Sequence, residues 1–439
     1  MTLEQLIPDV VDLKKPIYGK TLNVEWLLDS LRSNDKIYQK LHGDRAVKDL
    51  ENDIKSLKRV TFYDVSGGKG FLSVVLRCTV HFVDSTSAND VYHTILKVPG
   101  LESIEEASKK SDHDMEEHSK NRDQHAFLME SHQFECDFYN TLAPILNGPC
   151  PKVYKTEELI FGKKEGVLHM EDLTLRGKTI SHFENINLSQ VKSVIKAIAH
   201  MHKNILTADK ALWRGKFLKN QTAFVDLVSA LDSMIEPLVK KSKREDAFVP
   251  LIEKLRKFYS NKDYTIFAAQ QSFADLGMAP VLVHGDMHSG NIMWAIDEDG
   301  NIQNELAAFV DWQIMHEGSP MSDLSRFLTH CCDGVVRRQA ETFAVEFYHE
   351  CLTKEFGGKN VPYTVEQLKK AYNYAFLIQS FFAVAVTQIF FTSFEEKLPN
   401  QAVRNAFHSA GVLKALHLLE DADRLLEGEM KAVFEKYNV

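Results

Sequence analysis

The chain has 439 residues, 26% of them charged and 44% hydrophobic, and a formal net charge of −9. It is long enough to bury a large core and to form two or three units, while the acidic balance argues against nucleic acid, which calls for a basic face. The six cysteines contain no C-x-x-C pair, and residues 1–10 hold acidic side chains and Pro8 rather than a secretory leader, so a reducing, cytoplasmic setting is expected.

The first 58 residues read as helical, with Trp26, Leu27, Leu28 and Leu31 on one apolar face. A β-rich stretch follows, with strands expected at 59–65, 71–83 and 91–99. The turn Ser66-Gly67-Gly68-Lys69-Gly70-Phe71 joins two of them. Glycines there leave bare N–H donors that a phosphate can approach, although any hairpin can turn on Gly-Gly, and Lys69 fits phosphate contact and solvation equally. Residues 102–125 are charged and His-rich, so Asp112 to His118 reads as a solvated loop rather than a metal box. A helix is expected at 126–145, ended by Pro149-Cys150-Pro151, then strands at 152–154, 158–161 and 166–170.

Helices dominate from there to the end. Asn187 with Gln190, and Thr364 with Gln367, have capping-box spacing. His200-Met201-His202 falls at a core edge, and Arg337-Arg338 reads as surface charge. The run Ala375 to Phe391 is short for a bilayer and is interrupted by Gln379, Ser380, Thr387 and Gln388, which predicts a buried core helix and no membrane span. No internal repeat or low-complexity tract is seen, and no partner protein is evident.

The most informative segment is His284-Gly285-Asp286-Met287-His288-Ser289-Gly290-Asn291, held between apolar runs at 281–283 and 292–296. It places an Asp and an Asn at the spacing of phosphoryl transfer, where the Asp takes the proton of the attacking hydroxyl and the Asn holds magnesium. The turn Asp297 to Asn301 and the returning strand 307–310 then deliver a second candidate metal ligand, Asp311. His284 and His288 also have zinc-ligand spacing, as in a hydrolase, but such ligands converge on a helix, and Gly285 with strand-like flanks argues for a loop. A relic that keeps only the fold is the other alternative.

Lys97 is a lone charge in the apolar strand Ile95-Leu96-Lys97-Val98. Unpaired burial would be costly, so it needs a partner, and in the kinase template a Glu on the following helix supplies one while the ammonium bridges the nucleotide phosphates. Glu135 is the first choice and Glu130 the competitor. Phe134, Phe138 and Leu142 would pin that helix to the sheet. The alternative leaves Lys97 solvated on an edge strand.

On these residues, with Val310-Asp311-Trp312-Gln313, Gly318-Ser319-Pro320 through Asp323-Leu324, Met170-Glu171-Asp172-Leu173, Phe134-Glu135 and Phe138-Tyr139, the chain resembles the aminoglycoside phosphotransferase and choline kinase group. Within that group it is similar to the nematode branch of the ecdysteroid-kinase-like (CHK-kinase-like) family, apart from His288, where many members carry Trp. The resemblance implies an α+β, bilobal, protein-kinase-like fold. Its β-rich N-terminal lobe, with a helical extension, covers 1–171. Its helical C-terminal lobe covers 172–439 and includes a helical insert at about 205–280. ATP and Mg2+ would be the cofactors. Asp286 would act on the acceptor hydroxyl, Asn291 and Asp311 would hold the metal, and Gly67, Gly68, Gly70, Lys97 and Glu135 would serve the phosphates. The hinge Met170, Glu171 and Asp172 would hold adenine through its backbone, with Glu171 and Asp172 capping the next turn or touching ribose. Asp323 would brace the loop.

The expected activity is phosphorylation of a hydroxyl on a small, lipophilic molecule, a steroid-like alcohol or xenobiotic. A choline- or ethanolamine-type kinase and a catalytically silent nucleotide-binding scaffold are the alternatives. A protein acceptor is disfavoured because no long activation segment fits between Asp311 and Asp323. The insert is expected to wall an apolar acceptor pocket together with the C-terminal helices.

Overall fold

The computed structural model describes residues 10–19, 21–53, 73–100, 124–181, 184–393, 398 and 400–439. The glycine turn with Gly67, Gly68 and Gly70, the strand expected at 59–65 and the charged stretch 102–123 lie outside the described residues. The chain divides into two compact units, Met1–Asn140 with Pro151–Leu175, and Thr141–Cys150 with Arg176–Val439.

In the first unit an antiparallel sheet of five strands runs in the order Val47–Asp53, Ser73–Phe82, Val91–Pro99, Val167–Glu171, Val153–Glu157. The helix Val24–Asn34 buries Val24, Leu27, Leu28 and Leu31 in one core with Leu76, Val80, Leu96 and Val98 of the sheet, as their three-and-four spacing dictates. Asp35 ends this helix and starts the next, accepting the N–H groups of Ile37 and Tyr38.

Residues 47–53 are a strand, where the sequence reads as helix. Val47 and Leu50 stand three apart and are both buried, which looks helical. The register shift between Val47 and Asp49 marks a β-bulge, and one extra residue brings side chains three apart onto one face of a strand. The three strands expected across 152–170 are two, because Ile160 and Lys164 form an isolated bridge in a tight turn. The helix Gln124–Asp137 continues through a π-turn at Phe138–Leu142 into Ala143–Leu146. Pro144 lacks the N–H that α-helical bonding would need there.

The expected division at 171/172 is also corrected. Residues 141–150 belong to the second unit, where Asn204 Nδ2 donates to Leu146 O and Phe309 N donates to Pro149 O, at 2.9 and 2.7 Å.

The second unit is mostly helical. Asn187 and Gln190 form the expected reciprocal capping box, and Thr364 with Gln367 forms the same pair of bonds. The span expected as a helical insert folds as Lys219–Ala230, Ile235–Ser242, Glu245–Tyr259, Lys262–Ile266 and Ser272–Asp275. The long apolar helix Val365–Ser393 is a core helix, with 78% of its most apolar window buried. Two small antiparallel sheets carry the loop of interest. Val281–Val283 pairs with His316–Gly318, and Ile292–Ile296 pairs with Ile302–Phe309 and with Gly177–Lys178. With its sheet-built first unit and helical second unit, the fold is α+β.

Arg337 is buried rather than surface charge. It pairs with Asp421 at 2.5 Å and with Glu341 at 2.9 Å, while Arg338 stays partly exposed. Lys414, on the helix Gln401–Glu427, is also buried and donates to His330 O.

Burial pushes the Lys414 ammonium down from 10.5 to about 8, so the folded chain releases this proton before the unfolded chain does. Between about pH 8 and 10.5 the unfolded state binds the extra proton, and stability rises with pH through that window. Chemical denaturation at stepped pH should show the wild type gaining on Lys414→Met by up to roughly 1.4 kcal/mol per pH unit across it. A difference between the two proteins that does not vary with pH would contradict the shift.

Candidate active site

The loop 284–291 leaves one buried strand and enters another, and its shape is set by hydrogen bonds to its own backbone. Asp323 accepts His284 N at 2.7 Å and Gly285 N at 3.0 Å. Gly285 has φ +81°, and a Cβ there would sit 2.7 Å from Ile314 O, so glycine is required on both counts. His284 Nδ1 accepts Asp286 N at 3.2 Å, which leaves Nε2 to donate to Val310 O at 3.0 Å. His288 Nδ1 accepts Gly290 N at 3.0 Å, so its proton lies on Nε2, 3.4 Å from Asp286 Oδ2. Both imidazoles therefore shape the loop, as the kinase reading expects. The zinc-ligand alternative for this pair finds both His284 nitrogens and His288 Nδ1 already engaged by backbone groups.

Asp286 is buried, with a firm partner on one oxygen and longer contacts on the other. Arg326 Nη2 donates to Oδ1 at 2.6 Å, and Asn291 Nδ2 lies 3.3 Å from Oδ2 and 3.1 Å from Asp286 O. Burial opposes ionisation, but His288 and Arg326 outweigh it and keep this carboxyl well below its ordinary range. Burial also lowers the His288 imidazole, against the opposing charge of Asp286.

Asn291 Oδ1 is buried without a hydrogen-bond partner. Its backbone O accepts Val310 N at 3.0 Å, in line with the hairpin pairing of Ile292 with Phe309. Asp311 therefore starts one residue beyond that bond. It is buried, with a left-handed φ of 72° that is rare outside glycine, and its charge favours protonation of His288. A desolvated amide oxygen beside a carboxylate suits a hard cation that takes oxygen ligands.

In the first unit, Lys97 Nζ lies 2.5 Å from Glu135 Oε2, both side chains buried, and its strand neighbours are Val75 and Leu168. Glu135, not Glu130, holds this position. The hinge assignment changes. Met170 O accepts Thr94 Oγ1, Glu171 N donates to Lys152 O, and Glu171 Oε1 accepts Lys152 N. Asp172 caps the next turn through Thr174 and pairs with Arg77 at 2.6 Å, so its carboxylate is structural rather than a ribose contact.

Two features went unread in the sequence. Arg326 is a lone charge among Leu324, Phe327 and Leu328, the signal that singled out Lys97. The other is the insert's grip on the segment after Asp311. Asn220 Nδ2 donates to Gln313 O and Met315 O at 3.3 and 3.0 Å, and Gln221 Nε2 donates to Glu317 O. Glu317 in turn accepts Gly215 N and pairs with Arg214 at 3.0 Å. The expected wall is present in part. Phe224, Ala268 and Ala269 of the insert meet Ala375, Ile378 and Gln379 at a cavity of about 30 Å³. Gly285, Asp323 and Arg326 line it as well, whereas Asp286 does not.

A family model described as "DUF1679: Uncharacterized oxidoreductase dhs-27" matches residues 45–429. The chain belongs to the DUF1679 family. Two Caenorhabditis elegans relatives are "Uncharacterized oxidoreductase dhs-27", 27% identical over 369 residues, and "Uncharacterized kinase-like protein D1044.1", 28% identical over 257 residues. The matches cover 82% and 54% of this chain but 41% and 60% of those proteins, so the chain spans less than two thirds of either. A solved structure of choline kinase from Cryptosporidium parvum Iowa II matches with 10% identity, 92% of this chain, 97% of that chain and a TM-score of 0.46. The dhs-27 name mentions oxidoreduction, but every strand pairing among the described residues is antiparallel, unlike the parallel sheet of dinucleotide-binding dehydrogenases.

Asn220→Leu should remove two bonds to the segment after Asp311 at little change in volume. We expect a stability loss of about 1–3 kcal/mol and faster amide exchange at residues 313–318. Unchanged exchange there would show that the insert does not hold this segment.

Proposed function

We propose that this DUF1679 chain is an ATP-dependent phosphotransferase that phosphorylates a hydroxyl of a small, lipophilic molecule. The observation that carries the reading is the contact of Asp286 with Asn291, whose Oδ1 is buried and unpartnered, with Asp311 one residue beyond the backbone bond from Val310 to Asn291. Asp286 orients the acceptor hydroxyl. As its oxygen bonds to the γ-phosphorus, the bond from that phosphorus to the ADP oxygen breaks, and the hydroxyl proton passes to Asp286. Asn291 and Asp311 would hold magnesium, which supplies charge neutralisation at the phosphates. On the family motifs, Lys97, fixed by Glu135, would take the α- and β-phosphates, and Gly67, Gly68 and Gly70, read from the sequence alone, would serve them as well.

Within the kinase group we place the chain nearest the ecdysteroid-kinase-like branch, on the motifs quoted above. The motifs quoted above, rather than the small cavity beside Gly285, support a lipophilic acceptor, a steroid-like alcohol or xenobiotic, over a choline-type cation. The six unbridged cysteines support a cytoplasmic setting.

Untargeted metabolite phosphorylation with magnesium and ATP, read by mass spectrometry, tests the reading and finds the acceptor. Asp286→Asn should lower turnover by about two to four orders of magnitude while nucleotide affinity, followed by calorimetry, stays within a few-fold. Near-normal turnover in that variant would rule out the role given to Asp286.

A further inference from the structure

We propose that Arg326 is a positioning residue for the catalytic loop. It sets the rotation of the Asp286 carboxylate, and Gln379 and Phe382 of the long helix Val365–Ser393 aim its guanidinium. The proposal rests on the phosphotransferase reading above. Arg326 is gripped from three directions. Nη2 donates to Asp286 Oδ1 at 2.6 Å, Nη1 donates to Gln379 Oε1 at 3.2 Å, and Cζ lies 4.4 Å above the Phe382 ring. All four side chains are buried.

A planar fork bound through two prongs and stacked on one face has a fixed plane and a fixed reach. Its charge-assisted bond takes Oδ1 of Asp286. Oδ2 meets Asn291 Nδ2 and His288 Nε2 at 3.3 and 3.4 Å, distances long for hydrogen bonds. Oδ2 is therefore the oxygen left to receive an acceptor hydroxyl. A carboxylate free to rotate would present either oxygen at many angles, and misplacement by about 1 Å can cost on the order of 100-fold in rate. The geometry also explains Gln379, a polar residue on a helix otherwise read as core. A lysine at 326 would carry the charge but lacks the fork that joins Asp286 to Gln379.

The test uses the full chain in magnesium-dependent ATP turnover, with water or an alcohol that the metabolite screen finds to be a substrate as acceptor. Arg326→Lys should lower kcat by roughly 10- to 100-fold and leave KM for ATP within about twofold, and Gln379→Leu should give a smaller loss of the same kind. Full kcat in Arg326→Lys, or losses spread equally over kcat, KM and thermal midpoint, would overturn the role.

A thermal cycle tests the pair without turnover. Arg326→Met strands a buried carboxylate and should lower the midpoint by roughly 5 °C or more, and adding Asp286→Asn should recover most of the loss. No recovery overturns the pairing. If wild-type protein turns over no ATP with any acceptor, the phosphotransferase reading falls and takes the catalytic sense of the pair with it. Recovery in the thermal cycle would then identify the pair as structural.

Discussion

The site depends on one carboxylate that takes no part in its chemistry. Asp323 accepts two consecutive backbone N–H groups, those of His284 and Gly285, at the point where the chain leaves its strand and no ladder partner remains. Buried donors left unmade cost about 1–3 kcal/mol each, so their capture decides where the loop turns. With those N–H groups turned toward Asp323, Gly285 adopts a left-handed conformation, and the next side chain, Asp286, meets Arg326. The same helix, Ser322–Cys331, supplies both Asp323 and Arg326. They stand three residues apart, neighbours on one helical face. One rigid element thus fixes the backbone of the loop and its acidic side chain together.

The insert has a different part from the one its length implies. A long segment in a compact unit invites assignment as a substrate wall, and part of it does face the cavity beside Gly285. Its side chains also bond to the carbonyls at 313, 315 and 317, in the stretch joining Asp311 to Asp323. This stretch is short, and its strand His316–Gly318 pairs with the strand leading into the loop 284–291. Asp311 and Asp286 are thereby tied to one framework through a sheet, a hairpin and a helix start.

The candidate loop was legible because its shape is carried by spacing within one loop and by one hairpin, both local features of the chain. Lys97 and Glu135 were legible for an energetic reason, since a lone cation in an apolar strand must find an anion, and helical spacing left only two candidates. Local resemblance misled elsewhere. The bulge at Val47 to Asp49 gave a strand the spacing of a helix, and the tight turn at Ile160 to Lys164 looked like a strand. The roles of Glu171 and Asp172 depended on partners 19 and 95 residues away, Lys152 and Arg77, which no local pattern announces. Arg337 failed in the same way, because its partner Asp421 lies 84 residues on.

The carboxylates of the second unit show how burial sorts residues of one type into different tasks. Asp323 is satisfied by backbone N–H groups, Glu317 by Arg214 and Gly215, and Asp421 by three arginines. These carboxylates have matched donors supplied by the fold itself. Asp286 has one firm partner on one oxygen, and its second oxygen makes only long contacts. Beside it an amide oxygen, that of Asn291, is buried without a donor. A fold selected for stability alone has no use for that unmet acceptor, which costs free energy in the absence of a ligand. Placed next to a half-occupied carboxylate and a backbone-strained aspartate, it is the kind of cost that a bound cation and a reacting hydroxyl would offset.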